Sequence, residues 1–260
     1  AMLESIRVSN PHTIFELTEN MKRAEREIES VAEPCTLLAV RAGCSSFCMQ
    51  MAYVRTAQME CQLFKEAVYE NGRSFLELTK NGKNIIADNS LKDCNIWSAG
   101  LSPDMPILVY SLSSVVLTVL RRLAQSRSDQ KTYVLVARSG TDLGGLPMQR
   151  LLNDFEYNGK HPIEAKLIDD SNVTRVMAKV SVVLLGAEVV TRDGGIINRV
   201  GTFSVCLAAR HFDVRVIVLA ETCKWSDYCP SSNTMMEDDF KNGGGCKEGL
   251  SQLIDYTAGE

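Results

Sequence analysis

The spacing of apolar residues over the first ninety positions predicts helices. In the first helix, Asn10 is a candidate N-cap and Pro11 stands at the first helical position. The apolar stripe that follows has helical spacing and consists of Ile14, Leu17, Met21, Ala24, Ile28 and Val31. The same reasoning predicts a second helix over residues 45–69, which ends at Asn71-Gly72, and a third over 74–87, interrupted at Gly82.

The pattern changes after residues 93–104, which predict a connector. Short apolar runs then alternate with helical patterns. The predicted strands are 107–110, 132–137, 164–168, 182–185 and 215–220, and the predicted helices are 114–124, 147–158, 172–178 and 200–212. Parallel strands need crossover helices between them. We therefore predict an α/β protein, with an N-terminal helical domain over residues 1–95 and a parallel-sheet domain with helices on both faces over 104–260.

The composition argues against several classes of function. The 260 residues carry a formal net charge of −4, which gives no reason to expect direct nucleic-acid binding. There is no apolar run long enough to span a membrane, so we expect no membrane partner and a cytoplasmic location. The nine cysteines form no Cys-x-x-Cys pair and only three histidines accompany them, so we expect no metal site. Dinucleotide and P-loop fingerprints are absent, and we expect no cofactor.

The stretch from Gly186 to Thr202 is the strongest candidate for a ligand site. It follows a predicted strand and leads into a predicted helix, where open α/β sheets bind ligands. Gly194 and Gly195 allow positive φ or a close backbone approach. Gly201-Thr202 begins a segment whose first amides could face an anion. A glycine turn followed by a helix cap explains the same residues without a ligand.

Residues 186–202, together with 208–212 and 220–225, resemble the signature of one protein family. That family contains the alpha, beta and delta subunits of eukaryotic translation initiation factor 2B, methylthioribose-1-phosphate isomerase and ribose-1,5-bisphosphate isomerase. Within it, Gly-Ala-Glu-x-Val followed by Gly-Gly-Ile-Ile-Asn is most similar to the alpha-type subunits. The likeness covers residues 70–260 and implies that the C-terminal domain is Rossmann-like.

The resemblance also bears on catalysis. In the isomerases, a cysteine and an aspartate move a proton between adjacent carbons of a sugar phosphate, and the matching positions here are Ser111 and Glu188. A serine hydroxyl is far less acidic than a thiol and needs a neighbouring base. Glu188 carries its carboxylate one methylene further than an aspartate, which spoils a tuned proton-transfer geometry. We therefore expect no catalytic residues and no enzyme activity.

What remains is a pocket that binds without converting. By resemblance, Asn198 and Lys224 match positions that contact the phosphorylated ligand. The residues predicted to bind a sugar phosphate or nucleotide are Ser111, Glu188, Gly194, Gly195, Asn198, Gly201, Thr202 and Lys224. A solvated surface lysine is the alternative for Lys224, and a turn-forming side chain is the alternative for Asn198. Arg199 is expected to pack or to pair at the surface.

The resemblance implies a regulatory subunit of initiation factor 2B. Such a subunit would form a homodimer through its C-terminal domain and join the beta and delta subunits. It would help to sense initiation factor 2 phosphorylated on its alpha subunit, with the helical domain forming part of that surface. Three alternatives stay open: a delta-type subunit, whose motif residues 198–202 also resemble, an isomerase with a rebuilt acid–base pair, and a metabolite-sensing protein outside translation.

Overall fold

A computed structural model of the chain describes residues 1–32, 37–52, 60–92, 105–127, 130–140, 143–234, 236 and 253–259. The connector predicted at 93–104 lies outside these residues. The order of elements is helices first and alternating strands and helices afterwards. The predicted α/β class, with a helical region before a parallel sheet, is confirmed.

The helical region consists of α1 (Met2–Val8), α2 (Ile14–Val31), α3 (Leu37–Ala52) and α4 (Cys61–Lys92). Buried apolar residues of all four helices form one cluster, in which Ile6, Leu17, Phe47 and Val68 are almost fully inaccessible. The N-cap of α2 is Thr13 and not Asn10, because the Thr13 hydroxyl accepts the Glu16 amide N–H at 3.1 Å.

The predicted ends of the second and third helices are wrong. The structure has α3, described as far as Ala52, and then, after residues 53–59 that lie outside the described residues, a single helix α4 that runs through both glycines. Gly72 lies at a close helix contact, because a Cβ there would stand 2.9 Å from Leu3 and from Phe47. Gly82 faces Glu221 in the same way, at 3.3 Å. These glycines serve packing between elements and not chain reversal.

The strands are β1 (Ile107–Tyr110), β2 (Thr132–Ala137), β3 (Ile163–Ile168), β4 (Val182–Leu185), β5 (Val189–Val190), β6 (Ile196–Arg199), β7 (Val216–Val218) and β8 (Ile254–Thr257). Five of them form a parallel sheet in the order β3-β2-β1-β4-β7. All five were predicted, with small shifts at the ends of β3 and β7.

The remaining helices are α5 (Ser114–Ser126), α6 (Gly145–Asn153), α7 (Val173–Met177) and α8 (Thr202–His211). The sheet is buried on both faces, as parallel sheets are. Ile107 and Val109 of β1 point into a core shared with α5 and α6, whereas Leu108 and Tyr110 point into a second core shared with α7 and α8. Ala87 of α4 belongs to the first core, so this helix reaches from the helical cluster to the sheet.

Two predicted helices begin or end elsewhere. The helix expected over 147–158 ends at Asn153, and the chain then reverses through Asn158 and Gly159, both at positive φ. The helix expected from residue 200 starts at Thr202, because Gly201 adopts a φ of +102° that is incompatible with a right-handed helix.

The sequence analysis missed a second, smaller sheet. Strands β5, β6 and β8 pair antiparallel in the order β5-β6-β8. The stretch expected to be a glycine loop is therefore a β-hairpin, with Gly194 at a φ of +81° in its turn. The hairpin packs through Val189 and Ile197 against Ala42 of α3, which attaches the small sheet to the helical region. In the described part of the chain, no helix is both long and apolar enough to cross a membrane.

Candidate functional site

The order of strands places the switch point of the sheet, here called the crevice, between the carboxyl ends of β1 and β4. The connection from β1 leads to β2 on one side, whereas β4 lies on the other side, and ligands of such sheets bind beyond the strand ends at this switch point. Ser111 directly follows β1, is 4% exposed and has a φ of +60°. Gly186 directly follows β4, and a Cβ there would collide with the Ser113 hydroxyl. The two loops therefore meet in close contact.

Glu188 lies on the same edge and is already paired. Its Oε1 is 3.4 Å from Nη2 of Arg199, and the two side chains are only 19% and 18% exposed. The Glu188 amide N–H donates to the Ile197 carbonyl at 2.9 Å, which fixes the backbone across the hairpin. Arg199 pairs as expected, but largely buried and not at the surface.

Lys224 lies in a short 3₁₀ turn, Thr222–Lys224, that follows β7. Its Nζ donates to the Ala187 carbonyl at 2.6 Å and lies 3.7 Å from Oε2 of Glu221. The side chain is 27% exposed. The ammonium group thus joins the loop after β7 to the loop after β4, and the geometry does not match a freely solvated surface lysine.

The N-terminus of α8 already holds an anion from the chain itself. Oδ2 of Asp255 accepts the amide N–H groups of Gly201 at 2.8 Å and Phe203 at 3.0 Å. The Thr202 hydroxyl is fully buried and donates to the Arg199 carbonyl at 2.7 Å. The amides of Gly201 and Phe203, at the helix start where the sequence suggested an anion, are therefore used internally in this structure. Burial raises the pKa of Asp255 to about 6, against the two N–H donors, which lower it.

Gly194 and Gly195 shape the hairpin turn. The Asp193 carboxylate accepts hydrogen bonds from the Thr191 hydroxyl, the Tyr256 hydroxyl and the Gly195 amide. These donors, with Thr191 the largest contribution, lower the pKa of Asp193 to about 2. A Cβ at Gly195 would lie 2.7 Å from the Thr257 carbonyl, so this glycine permits a close backbone approach. The turn interpretation accounts for both glycines.

Asn198 lies in β6, opposite Asp255 of β8, and is 7% exposed. It is a strand residue, so the alternative of a turn-forming side chain is wrong. Apart from Gly194 and Gly195 in the hairpin turn, the predicted residues thus fall into two groups. Ser111, Glu188 and Lys224 lie at the carboxyl ends of β1, β4 and β7, whereas Asn198, Gly201 and Thr202 surround the junction of β6, β8 and α8.

Two cavities lie near the second group, and neither is lined by Ser111, Glu188 or Lys224. One, of about 270 Å³, opens at the ends of β1 and β3 and is lined by Tyr110, Gly140, Asp170, Thr174, Gly201 and Ser204. The other, of about 370 Å³, lies between α8, β7 and the small sheet, and Gly194 and Gly195 form part of its wall. Polar groups line both cavities: Asp170, Thr174 and Ser204 in the first, and Arg210 and Thr257 in the second.

Sequence reasoning missed Asp255 and Glu221. The local sequence carries no sign of either role, because both depend on contacts made across the fold. Among the described residues, no group of three or more potential ligands is placed to bind a metal ion. Burial raises the pKa of the Cys44, Cys48 and Cys206 thiols to about 11, so these cysteines are protonated packing groups.

These features define a Rossmann-like α/β protein with an attached helical region and a crevice at the switch point of its sheet. Ser111 and an ion-paired Glu188, which the resemblance aligns with the isomerase acid–base pair, lie at that crevice. The chain belongs to the initiation factor 2 subunit family, whose model matches residues 1–259.

Two relatives support this membership. The chain is 28% identical over 243 residues to translation initiation factor eIF2B subunit alpha of Caenorhabditis elegans, which covers 92% of this chain and 74% of that protein. It is 25% identical over 243 residues to the protein of the same name from Dictyostelium discoideum, covering 91% and 69%.

A solved structure has the same fold. The tetrameric eIF2B-beta2-delta2 complex from C. thermophilum contains a chain that superposes with a TM-score of 0.70 at 17% identity. The superposition covers 99% of this chain and 77% of that one. At this level of identity the likeness concerns the fold alone.

Proposed function

We propose that this chain is a regulatory, non-catalytic subunit of translation initiation factor 2B, of the alpha type. The observation that carries the proposal is the match of residues 1–259 to the family, together with the alpha-named relative that covers 92% of the chain. In this role the chain joins the beta and delta subunits, forms a homodimer and acts in the cytoplasm. It contributes to sensing phosphorylated initiation factor 2 and performs no nucleotide exchange itself.

The site geometry supports the absence of catalysis. A general base must reach the proton that it removes with a free lone pair at hydrogen-bond distance. Glu188 instead faces the Arg199 guanidinium at 3.4 Å in a largely buried position. Ser111 supplies a hydroxyl in place of a thiol, and its activation would need a neighbouring base. The pair therefore differs from an isomerase pair in the acidity of one group and in the cation that faces the other.

The crevice suits a ligand that is bound and not converted. Lys224 offers a cation at one side, and its current partners are a carbonyl and a carboxylate of the chain. A sugar phosphate or nucleotide phosphate would replace these partners with a stronger anion. We infer that Lys224 and Ser111 contact such a ligand, with Asn198, Gly201 and Thr202 supporting the neighbouring backbone.

The test is recovery of the tagged chain from its native cells at native expression, followed by intact mass measurement of what accompanies it. Stoichiometric beta-type and delta-type subunits in one complex support the alpha assignment. A complex in which this chain takes the place of the delta subunit assigns it to the delta type. A bare homodimer overturns the proposal.

Turnover is tested separately on the purified chain, with pentose 1-phosphates as substrates. We expect no ketose product. If product forms and is lost in both Ser111→Ala and Glu188→Gln, the chain is an isomerase and the non-catalytic assignment is wrong.

A further inference from the structure

The short turn that carries Lys224 also carries a buried carboxylate. Glu221 begins this turn, its carbonyl accepts the Lys224 amide N–H at 3.0 Å, and its side chain is only 14% exposed. Oε2 of Glu221 is buried, and among the described residues no group donates a hydrogen bond to it. Nζ of Lys224 is the cation that lies near this oxygen among the described residues, at 3.7 Å. Such a carboxylate is costly to bury unless the nearby charge compensates it.

The helical region holds this turn from the other side. Gly82 of α4 lies against the Glu221 side chain, where a Cβ would stand 3.3 Å from Cγ of Glu221. The Ser46 hydroxyl of α3 donates to the Cys223 carbonyl at 3.3 Å. Both α3 and α4 pack on the turn. The place of Glu221 is therefore set by helices that belong to a different part of the chain from the crevice.

We propose that Glu221 is a positioning residue for Lys224, and that α4 sets its position through the contact at Gly82. Glu221 and the Ala187 carbonyl hold the ammonium group between them at the edge of the crevice. A phosphorylated small molecule that binds Lys224 has to compete with Glu221 for the same ammonium. The ligand affinity of the crevice then depends on how closely α4 presses Glu221 toward Lys224. The inference rests on the ligand pocket of the proposed function.

The mechanism requires no large movement. A displacement of Glu221 by a few tenths of an ångström changes its distance to Lys224 in a region of low exposure, where charge interactions are poorly screened. Gly82 is the position at which such a displacement can be produced by one methyl group. Any event that shifts α4 would act on the crevice by the same route.

The test measures the reactivity of the Lys224 amine in the intact protein. A trace of acetic anhydride labels lysines in proportion to the accessibility of the free amine, and mass spectrometry compares Lys224 with the exposed Lys160. In Glu221→Gln, the Lys224 labelling rate should rise about threefold, which corresponds to losing a partly screened ion pair. Gly82→Ala should change the rate in the opposite direction, because the added methyl group presses Glu221 further toward Lys224.

Two matched variants serve as controls. Glu164→Gln removes the exposed ion pair of Glu164 with Lys131, at 3.1 Å, and should leave Lys224 unchanged. Gly43→Ala adds a methyl group to helix α3 in open space, with nothing within 4 Å of the new Cβ. Unchanged Lys224 labelling in both Glu221→Gln and Gly82→Ala overturns the inference. If Gly82→Ala does not fold, Glu221→Gln alone decides.

A second arm adds ribose 5-phosphate as the probe. Protection of Lys224 in the wild-type chain, with altered protection in Glu221→Gln, supports both the pocket and the positioning role. If ribose 5-phosphate does not protect Lys224, but the two variants still change its labelling, the pocket fails and the positioning of Lys224 by Glu221 stands. The two failures are thus distinguishable.

Discussion

Asp255 and Gly201 are 54 residues apart in the chain, yet Oδ2 of Asp255 accepts the Gly201 amide N–H at 2.8 Å. The same oxygen accepts the Phe203 amide N–H at 3.0 Å. Strand β8 therefore supplies a hydrogen-bond acceptor for two of the free amides at the N-terminus of α8. The helix start that resembles a phosphate site is stabilised from within the chain.

This arrangement predicts a pH dependence of stability. Burial raises the pKa of Asp255 from 3.8 to about 6. Between these two pH values, folding is therefore accompanied by the binding of a proton to Asp255. The contribution to stability is complete below the unfolded pKa and is lost as the pH rises through about 6. It amounts to at most about 3 kcal/mol, because one pKa unit corresponds to about 1.4 kcal/mol. Urea unfolding measured between pH 4 and pH 7.5 should show this decline.

Asp255→Asn should remove that slope, since the amide oxygen still accepts the two N–H groups but does not titrate. At pH 7 we expect the variant to be at least as stable as the wild type. An unchanged slope between pH 4 and pH 6 in Asp255→Asn would assign the proton uptake to other groups.

The lowered pKa of Asp193, about 2, affects stability in a different pH range. Its contribution is present above pH 3.8 and is lost as the pH falls through 2.

Gly201→Ala should be among the most harmful single-methyl changes in the sheet domain. The residue has a φ of +102°, and a Cβ would collide with the Tyr110 hydroxyl, which itself donates to the Val200 carbonyl. Strain and collision together should lower the free energy of unfolding by about 3 kcal/mol or more. Urea unfolding of the purified variant measures this loss.

Gly159→Ala is the matched control, because its φ is +73° and nothing lies within 4 Å of the new Cβ. It should cost about 1 to 2 kcal/mol from backbone strain alone. Adding Tyr110→Phe to Gly201→Ala should recover part of the loss, and a double-mutant cycle reports the coupling. Equal losses in the two glycine variants would show that the collision has no energetic role.

Gly72→Ala tests the close contact between α4 and its neighbours. A helix interior gains about 1 kcal/mol from this change where there is space. At Gly72 the methyl group meets Leu3 and Phe47 at 2.9 Å, and overpacking costs about 1 to 3 kcal/mol. We therefore expect no net gain and a loss of up to about 2 kcal/mol. Gly43→Ala, in open space, should instead stabilise the chain, and thermal unfolding compares the two.

Thr191→Val tests the hairpin turn. The Thr191 side chain is fully buried, and its hydroxyl is the main donor that lowers the pKa of Asp193. The variant should lose about 1 to 2 kcal/mol of stability, because a hydrogen bond to a charged acceptor is removed. The pKa of Asp193, followed by carboxyl carbon NMR, should rise toward 3.8. Tyr256→Phe should raise it less, and the reverse order would contradict the hydrogen-bond assignment.

The sheet could be predicted from the sequence because its buried strands are continuous apolar runs. The predicted bounds of β1, β2 and β4 are those observed. Because the strands were predicted to be parallel, Ser111 and Gly186, which follow β1 and β4, are expected at one edge of the sheet. The small sheet could not be predicted, since β6 pairs with β8 across more than fifty residues and neither strand has a distinctive local pattern.

The errors have a common physical cause. A glycine signals a helix end when only the local chain is considered, yet Gly72 and Gly82 are required by neighbours that are distant in sequence. The same holds for the candidate site. The sequence shows which residue types stand at 188, 199 and 224. The pairing of Glu188 with Arg199 and the role of Asp255, however, arise only from contacts in the folded chain.

The unbroken helix α4 has 32 residues and is therefore about 48 Å long. One end is embedded in the helical cluster through Phe64 and Val68, and the other is embedded in the sheet core through Ala87. A helix that is packed at both ends and unbroken between them has no position at which it can bend easily. A displacement of the outer helices should therefore be transmitted through α4 to the sheet. On heating, the two regions should unfold together as one cooperative unit.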